Sequence, residues 1–302
     1  MDESYPLISI VTPSYNQWQY LENAILSVLN QNYPNLEYII IDGGSTDNSV
    51  EMIKKYEKYL KYWVSEPDWG QSHAINKGFK YATGDVLAWL NSDDYYMPGA
   101  LHKVAEVAIA SPDADVFVGI GQIVDHTGKV VYYKEPSSEI TIESMYHWMD
   151  GGNFMQPSCF FRKAAWEVAG PLDENVHIAF DVDLWLRMAK KDYRFVRVNE
   201  LLSTALRHKG AKTTAFERLM HVDIAIVVIR HGGEHAVRSY LEDMAVRLSW
   251  CEPNFRKVIN NPLFKLLEPV IKLFVKPVVR WRDTVPPWFS GSRKDLSGRY
   301  GS

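Results

Sequence analysis

The amino-terminal third of the sequence repeats one pattern: a short apolar run, a polar loop and then a segment of helical length. The clearest run, residues 86–90, shows no polar alternation, which predicts a strand covered on both faces of a parallel sheet. Comparable runs stand at 7–12, 36–41 and 62–65, with helical segments between them. Strands and helices that alternate at this spacing predict an α/β fold with a doubly wound, mainly parallel sheet.

Each of these runs ends in polar residues. The first is followed by Thr12 and Tyr15, the second by Asp42, the third by Asp68, and the fourth by Asp93 and Asp94. Because the carboxyl ends of parallel strands meet at one edge of a sheet, we expect a binding crevice there. Adjacent carboxylates at that edge suit a hard divalent cation that shares its ligands with substrate phosphates. The alternative is that these aspartates only form turns and cap the following helices.

Several function classes are disfavoured by what the sequence lacks. No G-x-G-x-x-G follows the first run and no G-x-x-x-x-G-K-[ST] occurs, which argues against dinucleotide-binding folds and P-loop NTPases. The net charge of −4 argues against nucleic acid as a partner. Cys159 and Cys251 lie far apart, so we expect two core residues in a reducing cytoplasm. We find no secretory signal and no apolar run near the ~20 residues of a membrane span.

Four motifs, in this order, resemble those of a family 2 glycosyltransferase of the GT-A fold. They are TPSYN at 12–16, IIDGGSTDNS at 40–49, a segment at 66–94 that ends in LNSDD, and FDVDLWLRMAK at 180–190. The resemblance covers approximately residues 6–210. It implies a Rossmann-like mixed sheet flanked by helices, a UDP-sugar donor, a divalent metal (Mn²⁺ or Mg²⁺) and inversion at the anomeric carbon.

The resemblance also implies which residues bind the nucleotide-sugar. Thr12, Pro13 and Tyr15 correspond to positions that cradle the base and ribose. Asp42 and Asp68 correspond to positions on the uracil side of the donor, and Asn76 lies in a family-like helix near it. These six assignments are expectations drawn from motif position.

The acidic D-x-D motif of the family corresponds here to Asn91-Ser92-Asp93, so an amide replaces the first acid. An amide oxygen can coordinate a metal or accept a hydrogen bond, but it carries no charge. We therefore expect Asn91 to contribute to donor binding and Asp93 to carry most of the metal binding. Family members often carry a basic, His-containing loop after a later strand. His208 is accordingly a second candidate metal ligand and Lys212 a candidate phosphate contact, although both could lie in a solvated loop.

By the same resemblance, Asp181 at the start of a helix is the general base. An acceptor hydroxyl must lose its proton as it attacks the anomeric carbon, and a carboxylate within hydrogen-bond reach can take that proton. The alternative is that Asp181 and Asp183 only cap the helix and complement its dipole, which we expect for Asp183.

We expect a glycosyltransferase domain at 1–213, with a nucleotide-binding half at 6–97 and an acceptor-binding half at 98–213. A helical appendage follows at 214–302. Within it, residues 262–288 carry charges at every third or fourth position among apolar residues, which predicts a helix lying on the membrane surface. The alternative is a helix that packs on the domain or on a second subunit. The expected location is cytoplasmic, peripheral to the inner face of the cell membrane.

Together these features predict an inverting hexosyltransferase that moves a sugar from a UDP-sugar to a hydroxyl of a glycan or lipid-linked glycan in cell-surface polysaccharide synthesis. A second hypothesis is a sugar-phosphate nucleotidyltransferase, although TPSYN lacks the basic, Gly-rich loop that such an enzyme needs. A third is a catalytically silent module that binds nucleotide-sugars, a reading consistent with Asn91 in the acidic motif.

Overall fold

The structure of the protein is a computed structural model that describes residues 5–208, 210–212 and 217–260. Its strands are β1 (Ile8–Ser14), β2 (Leu36–Asp42), β3 (Tyr62–Ser65), β4 (Val86–Trp89), β5 (Asp94–Tyr96), β6 (Val116–Val124), β7 (Val130–Lys134), β8 (Cys159–Arg162) and β9 (Phe195–Leu206). Its helices are α1 (Trp18–Leu29), α2 (Ser49–Tyr56), α3 (Gln71–Phe79), α4 (Ala100–Ala110), α5 (Ile142–Tyr146), α6 (Lys163–Ala169), α7 (Phe180–Ala189), α8 (Glu217–Arg230) and α9 (Glu234–Asn260).

All nine strands in these ranges form one mixed sheet in the order β3-β2-β1-β4-β8-β6-β9-β5, with β7 paired to β6. The strands β1 to β4 are parallel to one another, as the repeated pattern predicts. The second half is mixed, because β8 runs antiparallel to both β4 and β6 while β9 runs parallel to β6. The predicted fold class, an α/β mixed sheet flanked by helices, is confirmed.

Both faces of the sheet are covered by buried apolar side chains, which explains the unbroken apolar run at β4. Leu87 and Trp89 point to a core shared with α3 and α7, whereas Val86 and Ala88 point to a second core shared with α1 and α4. Successive residues of a strand face opposite sides of its sheet, so a strand packed on both sides needs apolar residues at every position.

One strand that positions the site is absent from the sequence analysis. Residues Asp94–Tyr96 form β5, which pairs antiparallel with β9 so that Asp94 lies opposite Ala205. A three-residue strand that begins with a buried carboxylate gives no apolar pattern, so the sequence predicts no strand there. The pairing brings the end of β9 next to the end of β4.

The compact unit that contains the sheet extends to Tyr240 and includes α8, whose Ile224, Val227 and Val228 lie in the same core as Trp89. A second compact unit begins at Leu241, in which the described residues continue α9. The expected domain boundary at 213 falls among residues 213–216, outside the described ranges, and stays a prediction. The expected membrane-surface helix at 262–288 also lies outside them. None of the helices in the described residues is long and apolar enough to cross a membrane.

Candidate active site

The pairing of β5 with β9 brings Asp93 and His208 together at the carboxyl edge of the sheet. Asp93 ends the segment after β4, and His208 lies two residues beyond the end of β9. Their Oδ2 and Nε2 atoms are 3.0 Å apart, and the two side chains are only 14% and 10% exposed. The ring of Tyr20 packs against that of His208 with centroids 4.4 Å apart. A carboxylate oxygen and an imidazole nitrogen therefore converge on one point, as a divalent cation requires of its protein ligands.

Gln17 is a member of this site that the sequence analysis missed. Its Nε2 donates to Asp93 Oδ2 over 3.4 Å, and its Oε1 accepts a hydrogen bond from the Ser92 hydroxyl. It therefore helps to orient the Asp93 carboxylate. Its position immediately after TPSYN, in the loop that leaves β1, was the available signal.

The side-chain amide of Asn91 is hydrogen-bonded to protein groups, unlike that of a residue free to bind a metal. Its Oδ1 accepts from Gln71 Nε2 at 2.7 Å, and its Nδ2 donates to Asp94 Oδ2 at 3.0 Å and to Gln156 Oε1 at 3.3 Å. Burial and the neighbouring Asp93 carboxylate raise the pKa of Asp94 well above its ordinary range. Both ends of the Asn91 amide are thus used within the protein, and we assign it to the support of the site.

Asp181 lies at the start of α7, in the first turn of the helix. Protein atoms surround its carboxylate closely enough that desolvation raises its pKa to about 6, while the backbone N–H of Val182 and the charge of Lys212 oppose the rise. The hydrogen bond from the Val182 N–H to Asp181 Oδ1 is 2.8 Å long. A carboxyl group whose pKa lies near neutrality is suited to accept a proton during a reaction.

The charge of Lys212 acts on Asp181, and its side chain hydrogen-bonds Gln71. Its ammonium group donates to Gln71 Oε1 at 3.3 Å and lies 5.1 Å from the ring centroid of Phe180. Burial lowers the pKa of Lys212, and the Asp181 carboxylate acts in the opposite direction. Since Gln71 in turn donates to Asn91, hydrogen bonds run from Lys212 to the segment that carries Asp93.

Helix α7 is held in place by contacts on two sides. Trp185 stacks on Trp89 of β4 with ring centroids 5.5 Å apart and an interplanar angle of 11°. Asp183 is buried, accepts from Arg187 Nε at 2.9 Å, and lies 2.8 Å from His231 Nε2. These contacts account for Asp183 as a structural residue of the helix and fix the direction in which its first turn, with Asp181, faces.

An open cleft of about 1080 Å³ lies beside the Asp93–His208 pair. Tyr15, which is 61% exposed, Tyr20, Arg207 and His208 are among the residues that line it. The cleft therefore offers an aromatic face and a cation within reach of the paired carboxylate and imidazole. These are the chemical features that a base and a diphosphate require.

Thr12, Pro13 and Asp42 do not face solvent. Thr12 and Asp42 are fully buried, and Pro13 is also in the interior. The hydroxyl of Thr12 hydrogen-bonds that of Tyr38 at 3.0 Å. The contacts in the structure give these residues a supporting position, and direct donor contacts by them stay predictions.

The carboxylate of Asp42 organises the loop that follows β2. It accepts hydrogen bonds from the backbone and hydroxyl of Ser45 and from the hydroxyl of Ser65. Ser45 also accepts from the backbone N–H of Asn16 at 2.8 Å, so the loops after β1 and β2 are joined. Asp42 therefore shapes the edge of the sheet on which Tyr15 stands.

Asp68 meets this loop from the end of β3. It packs so closely on Gly43 that a Cβ atom at that position would come 2.8 Å from Asp68 Oδ2. Glycine at 43 permits this approach without a shift of the Asp68 side chain, and the carboxylate also accepts from the backbone of Gly70 at 2.8 Å. The structure thus brings Asp68 next to the Asp42 loop, as the strand-end pattern predicts.

Asn76 differs from its expected role. Its side chain is buried, donates to the backbone O of Leu172 and to Glu174, each at 3.0 Å, and accepts from the Leu172 N–H at 2.8 Å. Motif position placed it near the donor, but its amide is engaged with residues 172–174. We therefore assign it to the attachment of that segment to α3.

We expect Asn76→Ala to lower the free energy of unfolding by about 1–3 kcal/mol, because it leaves buried backbone groups of Leu172 without partners. The affinity for UDP should stay that of the wild type. Tyr15→Ala is the matched contrast, since the exposed ring contributes little to folding and lines the cleft. Urea denaturation and calorimetric UDP titration measure the two effects. An Asn76→Ala protein of normal stability with weakened UDP binding would restore the role expected from the motif.

Comparison with known proteins supports one reading of this geometry. The family model Glycosyl transferase family 2 matches residues 9–168. An uncharacterized glycosyltransferase of Rickettsia typhi is 26% identical over 223 residues, which are 71% of this chain and 68% of the relative. TuaG of Bacillus subtilis, named for teichuronic acid biosynthesis, is 30% identical over 225 residues, 70% of this chain and 86% of the relative.

Solved structures share the fold. TarS 1–349 of S. aureus in complex with UDP-GlcNAc aligns with a TM-score of 0.56 and 19% identity, over 78% of this chain and 71% of TarS 1–349. The mannosyltransferase PcManGT of Pyrobaculum calidifontis, in complex with GDP-Man and Mn²⁺, aligns with a TM-score of 0.57 and 14% identity, over 87% of this chain and 83% of PcManGT. At these identities the two structures inform the fold alone.

Proposed function

Because this chain belongs to glycosyl transferase family 2 and is a glycosyltransferase, we propose that it transfers a sugar with inversion from a UDP-sugar to a hydroxyl of a glycan or lipid-linked glycan. The observation that carries the proposal is the link from Lys212, whose charge acts on Asp181, through Gln71 to Asn91 in the segment of Asp93. It joins a carboxylate suited to accept a proton to a carboxylate suited to hold a charged leaving group.

In this proposal the acceptor oxygen attacks the anomeric carbon as the bond from that carbon to the UDP oxygen breaks. Asp181 accepts the hydroxyl proton, and its pKa of about 6 leaves it ionised at neutral pH yet basic enough to act. Arg207 in the cleft and Lys212 beyond it supply positive charge on the side of the diphosphate. Tyr15 offers an exposed ring to the base.

The residues fit a divalent cation at Asp93 and His208. The two candidate ligand atoms lie 3.0 Å apart on one side of a cleft, and a diphosphate and water can complete the coordination. When bound, such a cation neutralises charge that develops on the leaving diphosphate. Gln17 and Tyr20 keep the two protein ligands in this orientation.

The donor and acceptor classes are supported by relatives. TarS, with which this chain shares its fold, is solved with UDP-GlcNAc, and TuaG is named for teichuronic acid biosynthesis. Family membership favours sugar transfer over the formation of a nucleotide-sugar from a sugar phosphate. A membrane-bound acceptor would suit the expected surface helix at 262–288.

The test is release of UDP from a panel of UDP-sugars, with GDP-mannose as the competing donor class, in Mn²⁺ and Mg²⁺. We expect one UDP-sugar to be turned over when a glycan or lipid-linked acceptor is added, with Asp181→Asn as the blank. Turnover of GDP-mannose alone would contradict the donor assignment. Tight UDP binding without turnover of any donor would favour a silent binding module.

The charge of Lys212 gives a pH prediction. Because that charge holds the pKa of Asp181 down, Lys212→Met should raise this pKa above about 6 and move the acid limb of the kcat/KM profile to higher pH. Activity is present above the pKa, where Asp181 is ionised, and is lost as the pH falls through it. Lys212→Arg keeps the charge and should leave the midpoint in place. If the midpoint were the same in both variants, the charge of Lys212 would not influence the pKa of the base.

A further inference from the structure

Three side chains from two segments converge on a face that none of the steps above uses. Glu143 lies in α5, His147 follows that helix, and His235 lies in the first turn of α9. Glu143 Oε1 is 2.8 Å from His235 Nε2 and 3.6 Å from His147 Nε2. Ligand atoms of these three side chains all lie within 4.8 Å of one another. Within the described ranges, no other group of three or more His, Cys, Asp or Glu residues meets this distance.

A fourth side chain orients one of the histidines. Asp150 Oδ2 is 3.1 Å from Nδ1 of His147, on the side of the ring that faces away from Glu143. In the tautomer that carries its proton on Nδ1, His147 donates to Asp150 and its Nε2 lone pair is free for a metal on the side of Glu143 and His235. Metal-bound histidines commonly hydrogen-bond a carboxylate through the other ring nitrogen, which fixes the tautomer and makes the ligand more basic.

We propose that Glu143, His147 and His235 form a zinc site that is separate from the pair Asp93 and His208. Two imidazole nitrogens and one carboxylate oxygen are a donor set that Zn²⁺ accepts, with a water at the fourth position. The same donors discriminate against Mg²⁺, which prefers oxygen ligands. All three side chains are substantially exposed, so an ion reaches them without any opening of the fold.

The position of the site indicates what the ion does. It joins α5 to the first turn of α9, two segments about ninety residues apart in the chain. The carbonyl of Ser144 in α5 accepts from Asn153 Nδ2 at 3.0 Å, and Gln156, three residues further on, donates to the Trp89 carbonyl and lies against Asn91. Zinc at this site therefore stabilises the segment that supports one wall of the candidate active site.

The experiment titrates ZnCl₂ into the full chain, freed of any affinity tag, in a background that carries Asp93→Ala and His208→Ala and therefore lacks both candidate ligands of the other site. Calorimetry should give one zinc ion per chain and no heat with MgCl₂. His147→Ala combined with His235→Ala should abolish this binding, and Asp150→Asn should weaken it by roughly 10- to 100-fold. His177→Ala, a change at another exposed histidine, is the matched control and should bind as the background does.

Thermal melting provides a second readout. A ligand that binds only the folded protein raises its melting temperature, so zinc should stabilise the background protein but not the double variant. Without zinc the two proteins should have the same melting temperature, which would show that the double variant folds. The proposal is overturned if the background protein binds no zinc, or if the double variant binds it with unchanged stoichiometry and affinity.

Discussion

Replacing Asp181 with asparagine is expected to lower the rate of sugar transfer by roughly 10²–10⁴-fold, the usual contribution of a general base. Asparagine has the same shape and keeps an acceptor oxygen, but it cannot take the proton of the acceptor hydroxyl. The affinity for UDP should be unchanged, because in the proposed mechanism Asp181 acts on the acceptor hydroxyl and not on the nucleotide. Single-turnover transfer at saturating donor measures the first quantity, and calorimetric titration with UDP measures the second.

Asp181→Glu is the matched variant, since it keeps a carboxylate and should recover part of the lost rate. A melting curve for each variant establishes that the loss is chemical. Transfer by Asp181→Asn at the wild-type rate would exclude this residue as the base. An equal loss of UDP binding would place it on the donor side.

Replacing Asp93 with alanine is expected to have the largest effect on donor binding. The change removes a carboxylate that lies 3.0 Å from His208 and leaves a single candidate protein ligand at that point. UDP affinity in Mn²⁺ should fall by at least roughly 10-fold. This is the lower end of the loss seen when a residue that only supports a metal ligand is replaced, and a direct ligand should contribute no less. In EDTA, the variant and the wild type should bind UDP similarly. The measurement is therefore, for each protein, the ratio of its Kd for UDP in EDTA to its Kd for UDP in Mn²⁺.

His208→Ala should produce the same loss in Mn²⁺ to a smaller degree, because the negative charge of Asp93 remains. Asp181→Asn is the control whose ratio should equal that of the wild type. If Asp93→Ala lowered UDP affinity equally with Mn²⁺ and with EDTA, the carboxylate would act on the nucleotide without a metal.

The nucleotide-binding half could be predicted from the sequence because its signals are local. The unbroken apolar run at 86–90 predicts a strand packed on both faces, and the structure places its alternate side chains in two cores. Residues at the ends of parallel strands share an edge whatever the loops between them do. Asp42, through the loop it organises, and Asp68 accordingly come together at Gly43.

The contacts within the site were harder to predict, because they depend on pairing between distant segments. Nothing local marks Asp94–Tyr96 as a strand, yet its pairing with β9 is what carries His208 to Asp93. Gln17 and Gln71 act through side-chain hydrogen bonds over 75 and 20 residues, respectively, and a single amide side chain carries no periodic signal.

Motif position alone also does not determine which groups a side chain contacts. Asn76 lies in a family-like helix, but a buried amide satisfies its hydrogen bonds with whatever polar groups surround it, and here these belong to residues 172–174. Asn91 illustrates the same limit. It occupies the first position of the acidic motif, and its partners are Gln71, Asp94 and Gln156. A motif gives the position along the chain, whereas the direction of a side chain depends on its neighbours.

The central claim is that one site holds the leaving diphosphate at Asp93 and His208 and the acceptor at Asp181. The most direct test is a crystal structure with UDP and Mn²⁺, in which anomalous scattering locates the metal. We predict manganese bound to Asp93 Oδ2, His208 Nε2 and the diphosphate, the uracil against Tyr15, and the Asp181 carboxylate facing the space next to the β-phosphate. Manganese and UDP bound elsewhere, or an Asp181 carboxylate directed away from the nucleotide, would contradict the account.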